Sequence, residues 1–252
     1  IGVEEGFKLP KISIITSTNK EKYFDRIFAN FRNQKYPNKE LVLVINNDSI
    51  EIADIEKKVR SDENVNILKI QEEKSLGVCL NTAIECSNGD FVAKFDDDDF
   101  YSPDYLFDSY YSLLYSEADL TGKSLYFVYL QRDDKTVLYS MGKHCKEYEY
   151  TTYLVGGPTM VWKREVNEIV KFRDLNCGED TNFQKDIIEN DLKIFSNHKY
   201  GFLKWKSENI EDHTWKVCED HHSNECKEEL NGFDVKKAFI LSNDSESFEL
   251  AM

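Results

Sequence analysis

The first hundred residues alternate two hydrophobic periods, and few folds accept that order. Residues Ile12 to Thr16 read as a buried strand. Phe24, Ile27, Phe28 and Phe31 then recur at i, i+3, i+4, i+7, which is one face of a helix, and Tyr36-Pro37-Asn38 breaks it. Leu41 to Ile45 is a continuous apolar run, the pattern of a parallel strand covered on both faces. Ile52, Ile55 and Val59 fit a second helix, and Val65 to Ile70 a third strand. Leu76, Leu80, Ala83 and Ile84 fit a third helix that closes near Asn88-Gly89, and the strand Phe91-Val92-Ala93-Lys94-Phe95 follows. This order predicts an α/β fold with a mostly parallel, Rossmann-like sheet and helices on both faces.

Ligands of such sheets bind beyond the carboxyl ends of the strands. Short polar residues gather at those ends. Thr16-Ser17-Thr18-Asn19 follows the first strand, Asn46-Asn47-Asp48-Ser49 the second, and Asp96-Asp97-Asp98-Asp99 the fourth. Adjacent carboxylates repel one another unless solvent or a cation relieves them. At the end of a buried strand they point to a divalent metal with oxygen ligands, Mg²⁺ or Mn²⁺, which commonly bridges carboxylates and substrate phosphates. Lys94 is out of place in a central strand. Alternation sets it opposite Phe91, Ala93 and Phe95, where it needs either a carboxylate partner or a phosphate.

Composition narrows the function. A net charge of −15 argues against nucleic acid and against an anionic membrane surface, since both need clustered Lys and Arg. A nucleotide held through a metal stays compatible, because the cation supplies the positive charge. With 40% hydrophobic and 31% charged residues, 252 residues fit one large soluble domain, or two halves sharing a sheet. No apolar run approaches the ~20 residues that span a bilayer, so no integral membrane segment is expected. The opening Ile1-Gly2-Val3-Glu4-Glu5-Gly6 lacks the basic and apolar regions of a signal peptide, and the missing initiator Met suggests trimming or a piece of a longer protein. Six irregularly spaced cysteines with no C-x-x-C pair read as free thiols, which suggests a cytoplasmic protein. Cys218-Glu-Asp-His221-His222-Ser-Asn-Glu-Cys226 offers zinc-binding residue types at a spacing that fits no standard finger.

After Pro103 the pattern changes. A helix is expected from Asp104 to about Glu117, with Asp104 as its cap candidate. A strand pair, Leu125 to Gln131 and Val137 to Met141, turns at Arg132-Asp133-Asp134-Lys135. Gly156-Gly157-Pro158 leads into a strand from Thr159 to Trp162. A helix from Asp180 to about Asn190 and short β pieces near Ile194 and Phe202 come next. Three regions are expected: two halves of one domain over 1–103 and 104–217, and a polar tail or peripheral helix over 218–252.

Four passages together resemble family 2 glycosyltransferases with the GT-A fold. They are Ile12-Ser-Ile-Ile-Thr-Ser-Thr-Asn19; Glu40-Leu-Val-Leu-Val-Ile-Asn-Asn-Asp-Ser49; Leu76-Gly-Val-Cys-Leu-Asn81 with Gly89 through Asp99; and Gly178-Glu179-Asp180. Each alone is weak, but the ordered set, spanning roughly residues 10 to 215, is specific. The resemblance implies a nucleotide-diphosphate-sugar donor, by default a UDP-sugar, and an acceptor hydroxyl on a polysaccharide, glycolipid or protein. It implies that Asp96 and Asp98 form a D-x-D, Asp96 near ribose and metal and Asp98 on the metal, with Asp97 or Asp99 assisting. Thr16, Ser17 and Asn19 would line the nucleotide loop. Asn47 and Asp48 would sit near the base, although Asn46-Asn47 stands where the family has an acidic pair and Asp48 where it has Gly. Asp180 would be the general base of an inverting transfer, with Glu179 as alternative base or loop orienter. Asp180 also reads as an ordinary helix N-cap. Gly156 and Gly157 would lie beneath donor sugar and acceptor, and His213 would be a third metal ligand. No Gln-x-x-Arg-Trp follows the Glu-Asp pair, which favours single or short-chain addition. A catalytically silent sugar-binding module and a nucleotidyltransferase are the alternatives, the latter disfavoured by a first loop without glycines or basic residues.

Overall fold

Short aliphatic runs that are covered on both sides become the parallel strands of the computed structural model, which describes residues 8–59, 62, 64–151, 154–209 and 226–239. Strand β1 (Ile12–Thr18) leads to helix α1 (Phe24–Asn33), then β2 (Lys39–Ile45), α2 (Ile52–Lys58), β3 (Val65–Lys69), α3 (Leu76–Glu85) and β4 (Phe91–Lys94). β1 pairs in parallel with both β2 and β4, and β2 with β3. Period-2 alternation divides the side chains. Ile14, Leu41, Leu43 and Ala93 pack with Phe24, Ile27 and Phe28 of α1, while Ile15, Val42, Val44 and Val92 pack with Leu80 and Ala83 of α3. Burying both faces is what a parallel sheet requires.

Beyond β4 the chain crosses into a second sheet. β5 (Phe100–Tyr101) starts it, and α4 (Tyr105–Ser116) and β6 (Leu120–Gly122) follow. The expected strand pair is present as β7 (Leu125–Leu130) and β8 (Lys135–Ser140), antiparallel with Leu125 opposite Ser140. Then come β9 (Glu149–Tyr150), β10 (Val161–Lys163), α5 (Glu179–Glu189), β11 (Ile194–Ser196), β12 (Phe202–Lys206), β13 (Cys226–Asn231) and α6 (Val235–Phe239). The large sheet has eight strands in the order β3-β2-β1-β4-β10-β6-β11-β9, and the small one five, β13-β8-β7-β12-β5. β10 runs antiparallel to β4 and carries Trp162 onto the α5 face, against Phe183. No helix among the described residues is long and apolar enough to cross a membrane.

Three expectations change. The strand expected from Thr159 to Trp162 runs from Val161 to Lys163 instead: the Thr159 N–H and hydroxyl both donate to the Gly156 carbonyl, at 2.9 and 2.7 Å, closing a helical turn before β10. Asp104 holds the N-cap position of α4 without a capping bond, because its carboxylate pairs with Lys35 at 2.9 Å. Residues 226–239, expected as a tail or a peripheral helix, hold a strand as well as a helix: β13 adds to the edge of β8, and Val235, Ala238 and Phe239 of α6 close the core of the small sheet. Sequence patterning misses such an edge strand because Cys-Lys-Glu-Glu-Leu-Asn is polar. His213 and most of the Cys218–Cys226 segment lie outside the described residues.

Candidate active site

The acidic run is the crossing between the two sheets. β4 ends at Lys94, and Asp97 and Asp98 form a tight turn before β5 begins at Phe100. Each residue of the turn is held separately. The Asp96 N–H donates to the Tyr101 hydroxyl at 2.9 Å, and that hydroxyl donates to the Pro158 carbonyl at 2.9 Å. The Thr18 hydroxyl donates to Asp97 Oδ2 at 2.5 Å. Arg26, stacked over the Phe100 ring at 4.3 Å, donates to the Asp98 carbonyl at 2.6 Å. Asn30 donates to the Asp99 carbonyl at 2.9 Å, and the Trp205 N–H to Asp99 Oδ1 at 2.9 Å.

These contacts separate four like residues into different roles. Asp99 is fully buried, and its Oδ2 has no hydrogen-bond partner. Burial and then the charge of Asp98 push its carboxyl well above the usual range. Asp97 is taken by Thr18, and burial and Asp98 raise it to about 7. Asp98 is raised by burial and then by Asp96, while Asp96 pairs with the ammonium of Lys94. Of the partners in the D-x-D, Asp96 and Asp98 remain half-buried while Asp99 is sealed between the sheets.

The Glu-Asp pair enters from the other side. α5 starts at Gly178, whose φ of 78° lies in the left-handed region, so the chain turns sharply into Glu179. This makes Gly178 the cap, and Asp180 a residue of the first turn rather than the N-cap. Glu179 is 5% exposed; burial pushes its carboxyl up to about 7, with Lys94 working against that rise and Asp180 adding to it. Asp180 is half-buried and its Oδ1 accepts the Thr181 N–H at 2.6 Å. Its Oδ2 lies against the glycine loop: a Cβ on Gly157 would stand 1.8 Å from it. Only glycine permits this approach. Asp180 is thus the member of the pair that reaches the surface, and Glu179 the one set behind it.

The remaining residues singled out by sequence divide in the same way. Thr16 is 2% exposed inside β1, which runs two residues further than expected, to Thr18. The Ser17 hydroxyl engages the buried Cys79 thiol, and the Asn19 carbonyl accepts the Asn47 side chain at 2.9 Å. Asn47 Oδ1 accepts the Ser49 N–H at 2.9 Å, so this side chain shapes its own turn. Asp48 is exposed and its carbonyl accepts Lys69 at 2.9 Å. Gly156 donates its N–H to the Lys123 carbonyl at 2.8 Å and packs on Tyr126, whose ring a Cβ would meet at 2.8 Å.

Sequence reasoning missed Thr18, Tyr101 and Lys204. Lys204 sits on β12 beside the Asp99 contact, and burial, which alone lowers its ammonium value, is outweighed by Asp99, Asp96, Asp98 and Asp180. Its signal in the sequence was a lysine interrupting the apolar piece Phe202-Leu203, which β alternation turns toward the carboxylates. Among the described residues no group of three His, Cys, Asp or Glu side chains is gathered as a metal cage. Asp96 and Asp98 are two half-buried hard oxygen donors on one turn, close enough that the Asp96 charge raises Asp98. That fits Mg²⁺ or Mn²⁺ arriving with a diphosphate, since such ions take one or two carboxylates and complete their shell with phosphate and water.

The family model described as glycosyl transferase family 2 matches residues 13–163. A dolichyl N-acetyl-alpha-D-glucosaminyl phosphate 3-beta-D-2,3-diacetamido-2,3-dideoxy-beta-D-glucuronosyltransferase of Methanococcus voltae is 24% identical over 212 residues, covering 74% of this chain and 64% of that protein. Among solved structures, S. aureus TarS 1-349 in complex with UDP-GlcNAc superposes with a TM-score of 0.58 at 18% identity, covering 80% of this chain and 60% of TarS. The mannosyltransferase PcManGT from Pyrobaculum calidifontis, in complex with GDP-Man and Mn²⁺, gives 0.58 at 14% identity, covering 79% and 57%. At such identities the superpositions establish the GT-A fold alone. The chain spans 28% to 64% of the length of the curated relatives it matches.

Proposed function

This chain belongs to glycosyl transferase family 2, and from that premise we propose that it moves a sugar from a nucleotide-diphosphate donor to an acceptor hydroxyl, with inversion at the anomeric carbon. The observation that carries the reading is the meeting of Asp180 with the Gly156-Gly157 loop, on the same side as the Asp96 turn. The acceptor oxygen attacks the sugar C1, and the bond from C1 to the diphosphate breaks on the opposite face. The hydroxyl proton passes to the Asp180 carboxylate. Glu179, held behind it, orients the turn.

On the donor side, Asp96 and Asp98 would hold Mn²⁺ or Mg²⁺, which when bound offsets the charge of the leaving diphosphate. Lys204 adds a fixed cation facing the same carboxylates. The loops at Ser17–Asn19 and Asn47–Asp48, tied to each other through Asn47, form the nucleoside end. UDP is the default nucleotide, supported by the likeness to TarS with UDP-GlcNAc; the GDP-Man complex of PcManGT makes GDP the alternative. The Methanococcus voltae relative, named for a dolichyl-linked substrate, supports a glycolipid acceptor ahead of a polysaccharide or protein. Free thiols at Cys79, Cys86, Cys145 and Cys177 suit a cytoplasmic setting.

Calorimetric titration of UDP and of GDP, with Mn²⁺ and then with EDTA, tests the donor side. Metal-dependent binding of either is expected, and binding of neither to folded protein would move weight to a silent module. Asp180→Asn tests the base: turnover should fall by about 10²–10⁴-fold with nucleotide affinity kept. Unchanged turnover would remove Asp180 from that role.

A further inference from the structure

A lysine buried in the middle of a parallel sheet demands an explanation. Lys94 is the last residue of β4, 3% exposed, and its backbone N–H is spent on the Met160 carbonyl at 3.0 Å. Alternation along β4 turns it to the face of Val92, where the neighbours are Trp162 and the α5 residues Phe183 and Ile187. That face offers an ammonium no solvent. Two things meet it instead. Its own strand delivers Asp96, with which it forms an ion pair, and the first turn of α5 delivers Glu179 and Asp180, whose charges both act on it. Lys94 is also the chief attractive charge on buried Glu179.

We infer that Lys94 is a positioning residue that joins the donor side of the site to the base side. Its ammonium holds the Asp96 carboxylate by one oxygen and draws the Glu179–Asp180 turn toward it. The carboxylates that serve donor and acceptor are thereby set in register before either arrives. Without that cation, Asp96 of the acidic turn and the Glu179–Asp180 pair of α5 would face one another with no charge between them, and α5 would lose its electrostatic tie to the turn. The inference rests on the transferase reading for its consequence in turnover, but the charge linkage stands on the ligand-free protein.

The test is a double-substitution cycle on the full chain, read by urea unfolding at pH 8 without ligand, where Glu179 is ionised. In the natural background Glu179→Gln removes an attraction and should lower the unfolding midpoint. In a Lys94→Met background that attraction is already gone and burial favours the neutral acid, so the same substitution should shift the midpoint far less, or upward. A shift of the same sign and size in both backgrounds would overturn the linkage. Hydrolysis of UDP-GlcNAc and of GDP-mannose then reads the consequence. Lys94→Met should slow it at least tenfold, and Lys94→Arg, which keeps the charge, should recover most of the loss. A folded Lys94→Met variant with undiminished hydrolysis would overturn the positioning role. Absence of nucleotide binding and hydrolysis in the unsubstituted protein would instead count against the transferase reading, and the unfolding cycle would still decide the linkage.

Discussion

Two lysines in this molecule are equally buried and meet opposite fates. Lys94, 3% exposed, lies under the acidic turn; Lys123, 2% exposed, lies under the glycine loop, its carbonyl bonded to the Gly156 N–H. Around Lys94 the carboxylates Asp96, Glu179 and Asp180 outweigh desolvation and raise the ammonium value. Around Lys123 desolvation wins. Its Nζ donates to the His198 carbonyl at 2.7 Å and rests over the Tyr105 ring at 5.4 Å, and burial pushes it down to about 7 against the opposing charges of Asp108 and Glu147. Burial by itself does not settle charge; the presence of a counter-charge at contact distance does. The region under the acidic turn is built to keep an ion, and the region under the glycine loop to tolerate an amine that gives its proton up.

That contrast is sharpest in stability. Lys94→Met should cost about 1–3 kcal/mol in urea unfolding at pH 7, because it removes a charged partner from a half-buried carboxylate. Lys123→Met should cost far less at the same pH, and equal losses would erase the distinction. The next effect is in pH. The native value of Lys123 lies below its unfolded value, so its contribution is fullest above the unfolded lysine value and falls as pH drops toward about 7. Unfolding free energy should therefore decline, on the order of 3 kcal/mol, between roughly pH 10 and 7, and Lys123→Met should remove that slope. Lys94 runs the other way: its contribution is complete below the unfolded value and lost only as pH rises beyond it.

Smaller effects probe the seam between the two regions. Gly157→Ala puts a methyl where Asp180 Oδ2 now lies, and overpacking of this kind costs about 1–3 kcal/mol. Turnover should fall with little change in nucleotide affinity, measured by calorimetry beside the natural protein. Thr18→Val deprives Asp97 of its donor and should weaken metal-dependent nucleotide binding by about 1 kcal/mol, roughly fivefold. A change confined to stability would make Thr18 a support of the turn and nothing more.

The parallel half was legible because it is local and periodic. The stripe Phe24, Ile27, Phe28, Phe31 and the run Leu41–Ile45 are both buried as their patterns require. β6 and β9, three and two residues long, carry no pattern, and β5 hides inside the acidic passage. The polar strand β13 was legible only as part of a tail or peripheral helix. In the candidate site, Asp96, Asp98, Glu179 and Asp180 could be named from residue type and order. Their division of labour could not, because Asp99 differs from Asp98 in burial and in its bond to the Trp205 N–H, and both come from packing.

Sequence alone determined the strand and helix order of the first hundred residues, the family, and the set of acidic residues that could do chemistry, since periodicity and motif order are properties of neighbours along the chain. Tertiary structure decided which of those residues meet. Lys94 and Glu179 are far apart in sequence, and only the packing of α5 on β4 brings their charges together. Gly157 and Asp180 touch only because the loop and the helix start are pressed together. Charge state followed from that packing: desolvation and Coulomb energy depend on distance through space, which no local pattern encodes.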